Sequence, residues 1–230
     1  MNKISKIYFI NLDRRPDRYE HFLKQCNEKL IDFSKIIRFK AIDGNLYKFT
    51  DIELSMFNNV DYKGKNYERN IIGNQLSHLN ILKDMVRNEY EYIIIFQDDV
   101  ILRKNFIKEI NKIMTNIPKD TEIINIGYHK FASYNTFIPY DLNNNEETEL
   151  SKKNINENIC ILNDTINPCS LGYIVSLKGA INLIEFFNRN GFLRATDWNY
   201  NDYLKMKNIY YGSRLVLATG NPNFQSDVFI

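Results

Sequence analysis

Tyr92-Ile93-Ile94-Ile95-Phe96-Gln97-Asp98-Asp99-Val100-Ile101-Leu102 sets two adjacent carboxylates inside an otherwise apolar run. The β-branched and aromatic residues Tyr92 to Phe96 suit a central strand buried on both faces, because a half-buried strand would alternate with polar residues. Asp98 and Asp99 then stand at its carboxyl end, where open α/β sheets bind their ligands. Carboxylates in that position suit a hard cation and a phosphate, so the pair is a candidate metal site. The competing reading is a turn, in which each Asp bonds nearby backbone. Val100-Ile101-Leu102 argues against it, since a solvated turn rarely returns straight to the core.

Outward from that stretch, 230 residues with 44% hydrophobic and 13% aromatic content fit one α/β domain over 1–230 and exclude a disordered chain. The formal charge of +2 comes from acids and bases spread along the sequence. No basic stripe runs along it, so nucleic acid is not an expected partner. Cys26, Cys160 and Cys169 are odd in number and lack C-x-x-C spacing, which points to reduced thiols rather than a disulfide framework or a zinc site. Ile7-Tyr8-Phe9-Ile10 is too short for a signal-peptide core, and no apolar run reaches membrane-spanning length. These features lead us to expect a soluble, cytoplasmic protein.

The remaining pattern alternates strands and helices. A strand over 4–12 precedes a helix with Pro16 in its first turn and Tyr19, Phe22, Leu23, Cys26 and Leu30 on its apolar side. A strand over 36–41 ends at the turn dipeptide Asp43-Gly44, and Thr50-Asp51-Ile52-Glu53 has capping-box spacing. Leu76, Leu79, Leu82 and Val86 form a helical stripe that places Ser77 and His78 near the first turns, with amino-terminal amides available to an anion. A helix over 106–117 and a strand over 122–126 follow. From 129 to 158 the pattern fails, and Asn143-Asn144-Asn145-Glu146-Glu147 reads as part of a mobile surface loop. Strands over 159–162 and 171–175, a helix entered through Ser176, and closing strands over 209–211 and 215–218 complete the expectation.

The sequence resembles glycosyltransferase family 25, which includes lipooligosaccharide β-galactosyltransferases and collagen hydroxylysine galactosyltransferases. The likeness rests on Asn11-Leu12-Asp13-Arg14-Arg15-Pro16-Asp17-Arg18, Ala41-Ile42-Asp43-Gly44, Gly73 with Leu76-Ser77-His78, and Gln97-Asp98-Asp99-Val100. Gly172-Tyr173-Ile174-Val175-Ser176 with Gly179-Ala180, Asp197-Trp198, and Pro222 with Gln225 extend it along the chain. The resemblance implies an α/β, GT-A-like nucleotide-diphosphosugar transferase fold with a central, mostly parallel sheet flanked by helices. It further implies a UDP-sugar donor, Mn²⁺ or Mg²⁺, inversion at the sugar carbon, and a saccharide or hydroxylated protein side chain as acceptor. The family commonly has Glu-Asp-Asp where this chain has Gln97-Asp98-Asp99. An amide oxygen coordinates without charge, so the alternative is a nucleotide-sugar-binding protein with weak or no transfer.

On this resemblance the metal ligands are Asp99, then Asp98, with Gln97 beside them. The donor contacts fall on Asn11, Arg14, Arg15, Arg18, Asp43, Ser77, His78, Asp98 and Gln225, and the late Asp197 is the candidate catalytic base. Each has a rival role. Arg14 and Arg15 fit a solvated strand exit, His78 a hydrogen-bonded core position, and Asp197 a helix cap. Asp43 fits a turn, and Gln225 and Asp227 either line the far edge of the site or merely end the fold.

Overall fold

The computed structural model describes residues 3–133, 136–163, 169–207 and 209–227. β1 (Ile4–Asn11) leads into α1 (Pro16–Glu28), with Pro16 at the start, where a missing N–H has no intrahelical acceptor to lose. β2 (Ile36–Lys40) is followed by α2 (Asp51–Ser55), opened by the reciprocal Thr50–Glu53 capping box, and by α3 (Glu68–Arg87). Then come β3 (Tyr92–Gln97), β4 (Val100–Leu102), α4 (Phe106–Thr115) and β5 (Ile123–Asn125). β6 (Lys130–Ser133), β7 (Thr136–Ile138), β8 (Ser151–Asn154), β9 (Ile159–Leu162) and β10 (Gly172–Ser176) precede α5 (Leu177–Asn190) and α6 (Thr196–Lys207). β11 (Tyr211–Ser213) and β12 (Ala218–Gly220) close the order.

Eight strands form one sheet in the order β2-β1-β3-β10-β5-β11-β9-β8. β10 and β9 run against the other strands, so the sheet is mostly parallel in direction. Successive side chains of a strand point to opposite faces, and both faces here are apolar. Ile93 and Ile95 of β3 join Tyr8, Ile10, Tyr173 and Val175 in a core under α3 and α5. Ile94 and Phe96 join Ile7, Phe9 and Ile174 in a second core containing Phe22 of α1 and Phe106 and Ile110 of α4. The uninterrupted apolar run of β3 follows from this double burial.

The structure departs from the sequence reading in three places. α3 begins at Glu68 rather than after Gln75, so Ser77 and His78 lie mid-helix and its first amides are some nine residues away from them. Gly73 marks a close crossing rather than a helix start. A Cβ there would stand 2.4 Å from the Ile42 carbonyl oxygen, so only glycine lets the Ile42–Gly44 turn lie against the helix. The segment 129–158 is also not featureless. It holds β6, β7 and β8, although 134 and 135 of the expected loop lie outside the described residues. β8 is exposed along its length, and a polar edge strand carries no apolar signal. The closing strands sit further along than expected because Gly212 and Gly220 fall inside them, where tight packing against Tyr128 and His129 replaces a β-branched run.

After the two aspartates the chain enters β4, which pairs antiparallel with β12. That pairing brings the segment following β12 back to the end of β3, where the Asn221 N–H donates to the Asp99 carbonyl at 2.7 Å.

Candidate active site

The carboxyl ends of β1 and β3 lie side by side, since Ile10 pairs with Gln97. One cleft opens there, lined by Ile10, Leu12, Arg14, Arg18, Ala41–Gly44, Asn70, Asn74, Gln97–Asp99, Ser226 and Asp227. Three separate sequence motifs, within 11–18, 41–44 and 97–100, therefore meet at one place, joined by Asn70 and Asn74 of α3 and by Ser226 and Asp227. Asn74 also accepts a hydrogen bond from Thr196 Oγ1 at 2.8 Å, which ties the start of α6 to the cleft wall.

Asp98 is the anchor of this end of the sheet. Its Oδ2 accepts from Asn11 Nδ2 at 2.6 Å and its Oδ1 from the Arg18 guanidinium at 3.0 Å, all three side chains being buried. Asn11 Nδ2 also donates to the Arg15 carbonyl, and its Oδ1 accepts from Arg38 Nε at 2.9 Å. Burial pushes the Asp98 carboxyl up from its ordinary range, and the Asn11 and Arg18 bonds oppose that push. Arg18 Nε is left buried without a partner.

Asp99 is differently placed. Its Oδ1 is buried with no hydrogen-bond partner, and its Oδ2 lies 3.9 Å from Arg18. Burial first, then the charge of Asp98, push its pKa up to about 6. A cation beside Oδ1 would satisfy that oxygen, and a hard oxygen donor suits Mn²⁺ or Mg²⁺. Among the described residues no group of three or more His, Cys, Asp or Glu is placed to hold an ion. The donor set thus fits an ion that draws the rest of its shell from substrate phosphate and water, as Mg²⁺-type ions commonly do. Gln97 Nε2 donates to Ser170 Oγ at 2.9 Å, which fixes the orientation of its amide.

The arginines converge on acids. Arg14 Nε pairs with Asp43 Oδ2 at 2.9 Å, and Arg14, Arg15 and Arg18 all pair with Asp227. The Gln225 carbonyl, rather than its side chain, accepts from Arg18. Asp197 stands in the first turn of α6, where its Oδ1 accepts from the Trp198 N–H at 3.0 Å. Burial pushes the Cys169 thiol up, and the charges of Asp197 and Asp99 add to that push, so both acids act on the same thiol.

Two expected contacts are drawn away from the cleft. Ser77 is fully buried; its Oγ donates to the Gly73 carbonyl and accepts from the Ile42 N–H, and so holds the Asp43 turn in place. His78 is 1% exposed, with Nδ1 2.7 Å from the Tyr173 hydroxyl and its ring against Tyr173 and Tyr200. Burial pushes its pKa down to about 3, so it is neutral at pH 7. The unfolded chain binds this proton below about pH 6.5 and the folded chain does not, so stability is complete above that value and is lost as pH falls. His78→Phe is expected to flatten the acid limb of stability by about 1.4 kcal/mol per pH unit between pH 6 and 4.5, measured by urea unfolding. His129, pushed down by burial to about 4, keeps its own share in both proteins. An unchanged slope would mean that His78 is solvated.

Asn70 and Asn74 were missed by sequence reasoning. They lie one helical turn apart, a spacing that becomes visible only when α3 is extended back through Gly73.

The model of glycosyltransferase family 25 (LPS biosynthesis protein) matches residues 4–198. The chain belongs to glycosyltransferase family 25. Its mixed α/β architecture, with a mostly parallel sheet between helices, is that of a GT-A-like fold. It is 28% identical over 184 residues to human procollagen galactosyltransferase 2, covering 78% of this chain and 27% of the human protein. A Drosophila melanogaster glycosyltransferase 25 family member is 26% identical over 190 residues, covering 79% and 28%. The mouse inactive glycosyltransferase 25 family member 3 is 23% identical over 114 residues, covering 49% and 19%. The chain spans about a quarter of the length of the first two relatives. No helix among the described residues is long and apolar enough to cross a membrane.

Proposed function

We propose that this family 25 chain is a metal-dependent inverting hexosyltransferase. It moves galactose or glucose from a UDP-sugar to a saccharide hydroxyl or a hydroxylated protein side chain. The observation that carries this reading is Asp99, a carboxylate with one buried, unpartnered oxygen at the end of a central strand, in one cleft with Arg14 and Arg18. The names of the relatives favour galactose as the sugar and a collagen-like acceptor.

Asn11 and Arg18 hold Asp98 and so fix the strand end from which Asp99 projects. The guanidiniums of Arg14, Arg15 and Arg18 bind the donor phosphates, for which their planar forks are suited. A divalent ion at Asp99 would neutralise charge developing on the departing UDP. Asp197 takes the proton of the acceptor hydroxyl as its oxygen bonds to the sugar carbon and the bond from that carbon to phosphate breaks.

A second reading, donor binding without efficient transfer, is favoured by Gln97, whose amide is fixed on Ser170 and brings no charge. Calorimetric titration with UDP, UDP-galactose and UDP-glucose, each with and without Mn²⁺, tests both readings when paired with an assay of UDP release. Metal-dependent binding with release is the expected result. Binding without release, with a range of saccharide and hydroxylysine acceptors, selects the second reading. A folded protein that binds none of the three overturns both.

A further inference from the structure

We propose that Asp227 occupies the phosphate position of the arginine cluster and is exchanged for the donor's phosphate when the donor binds. This rests on the reading that Arg14, Arg15 and Arg18 hold that phosphate. Three guanidiniums, two from the residues just before α1 and one from its first turn, converge on this one carboxylate. Arg14 reaches Oδ1 at 2.5 Å, while Arg15 and Arg18 reach Oδ2, Arg18 at 2.8 Å. The Asp227 side chain is 9% exposed. Its two oxygens sit among the guanidiniums as two oxygens of a phosphate would, because carboxylate and phosphate are matched by the same fork.

The carboxylate also shares a cleft with Asp98 and Asp99. A diphosphate that reached an ion at Asp99 while contacting Arg14 and Arg18 would have to enter the space that Asp227 fills. Asp227 adds negative charge beside both acids, and Asp43 and Asp17 already engage Arg14 and Arg15 from outside. The chain's own carboxylates thus already offset the charge of all three arginines. A diphosphate carries more charge and more acceptor oxygens than one carboxylate, so it displaces Asp227 once it is concentrated enough.

The carrying segment is built for such an exchange. Its near end is pinned by the Asn221 N–H on the Asp99 carbonyl and by the Phe224 ring, which lies under Arg15 and Arg18 and against His21. Asp227 lies beyond these anchors, with a long 3.5 Å bond from Asn70 Nδ2 to its carbonyl and the Arg18 bond to the Gln225 carbonyl to be given up on release, while Asn221 and Phe224 stay in place. The segment falls outside the residues matched by the family model, 4–198. The rival role is a permanent clamp that orients the arginines for phosphate.

The two roles predict opposite signs. Titrating metal-free full chain with inorganic pyrophosphate, UDP and uridine, Asp227→Asn is expected to bind pyrophosphate and UDP roughly tenfold more tightly than the unsubstituted chain. Uridine, which lacks phosphate, should bind the two proteins alike. Hydrogen exchange adds a test that needs no substitution: pyrophosphate should speed exchange in 225–227 of the unsubstituted chain and leave Asn221 protected. Equal or weaker pyrophosphate binding by a folded Asp227→Asn overturns the proposal, as does slower exchange in 225–227 or no pyrophosphate binding by either protein. If the pyrophosphate gain is present but UDP binds neither protein with or without Mn²⁺, the exchange stands and the transferase reading fails. If UDP and pyrophosphate bind both equally, the transferase reading stands and the exchange fails.

Discussion

Asp99→Asn is expected to remove the metal-dependent part of UDP binding, by about 100-fold or more, because loss of even an outer-shell partner of a bound ion commonly costs 10–100-fold. UDP release in a transfer assay should fall with it. The same substitution should leave the metal-free protein folded and melting at an equal or higher temperature. Both outcomes have one cause. Asp99 Oδ1 is a buried charge-bearing atom with no donor, and burial and Asp98 together oppose its ionisation. A neutral amide of the same shape removes that opposition and with it the attraction for a cation. Sites kept for binding commonly trade stability for function in this way. Isothermal titration with UDP and Mn²⁺ and a thermal melt without metal check the two halves. Unchanged Mn²⁺ dependence would remove Asp99 from the metal site, and a sharp loss of stability would show that Oδ1 has a structural partner.

What the sequence made legible was local. The apolar run of β3 with its terminal acids, the Thr50–Glu53 capping box and Pro16 at the start of α1 are each short patterns with one physical reading, and each appears where expected. What stayed hidden depends on contacts between distant residues. Gly73 reads only as part of a family motif before the start of a helix until the Ile42 carbonyl is placed against it. His78 and Ser77 look like site residues until α3 is seen to start at Glu68 and to turn them toward the core and the Asp43 turn. The meeting of Asp227 with Arg14, 213 positions away, requires β12 to pair with β4, and no periodicity records that pairing. That Asp197 and Asp99 both act on the Cys169 thiol is likewise a product of the fold.

Arg18→Met is expected to destabilise the protein by about 3–5 kcal/mol at pH 7, the usual consequence of removing one partner of a buried ion pair. Arg18 side-chain exposure is 6% and that of Asp98 is 7%, so the bridge between them is shielded from water and salt in a way that the Arg189–Glu185 pair on the surface is not. Methionine keeps most of the side-chain volume, which limits the cavity that deletion would leave. Asp227 also loses a partner but keeps Arg14 and Arg15, so the loss falls chiefly on Asp98, left with Asn11 alone. A buried carboxylate without its cation has its pKa raised further above the unfolded value. Such a group favours the folded state at low pH and loses that contribution as pH rises, so the deficit of Arg18→Met should shrink as pH falls from 7 to 5. Adding Asp98→Asn removes the stranded charge and should recover at least half of the loss, which a double-substitution cycle by urea unfolding would measure. A single-variant loss below about 1 kcal/mol, with no recovery in the double variant, would place the pair among solvent-screened ion pairs and leave Asp98 free to serve a ligand instead.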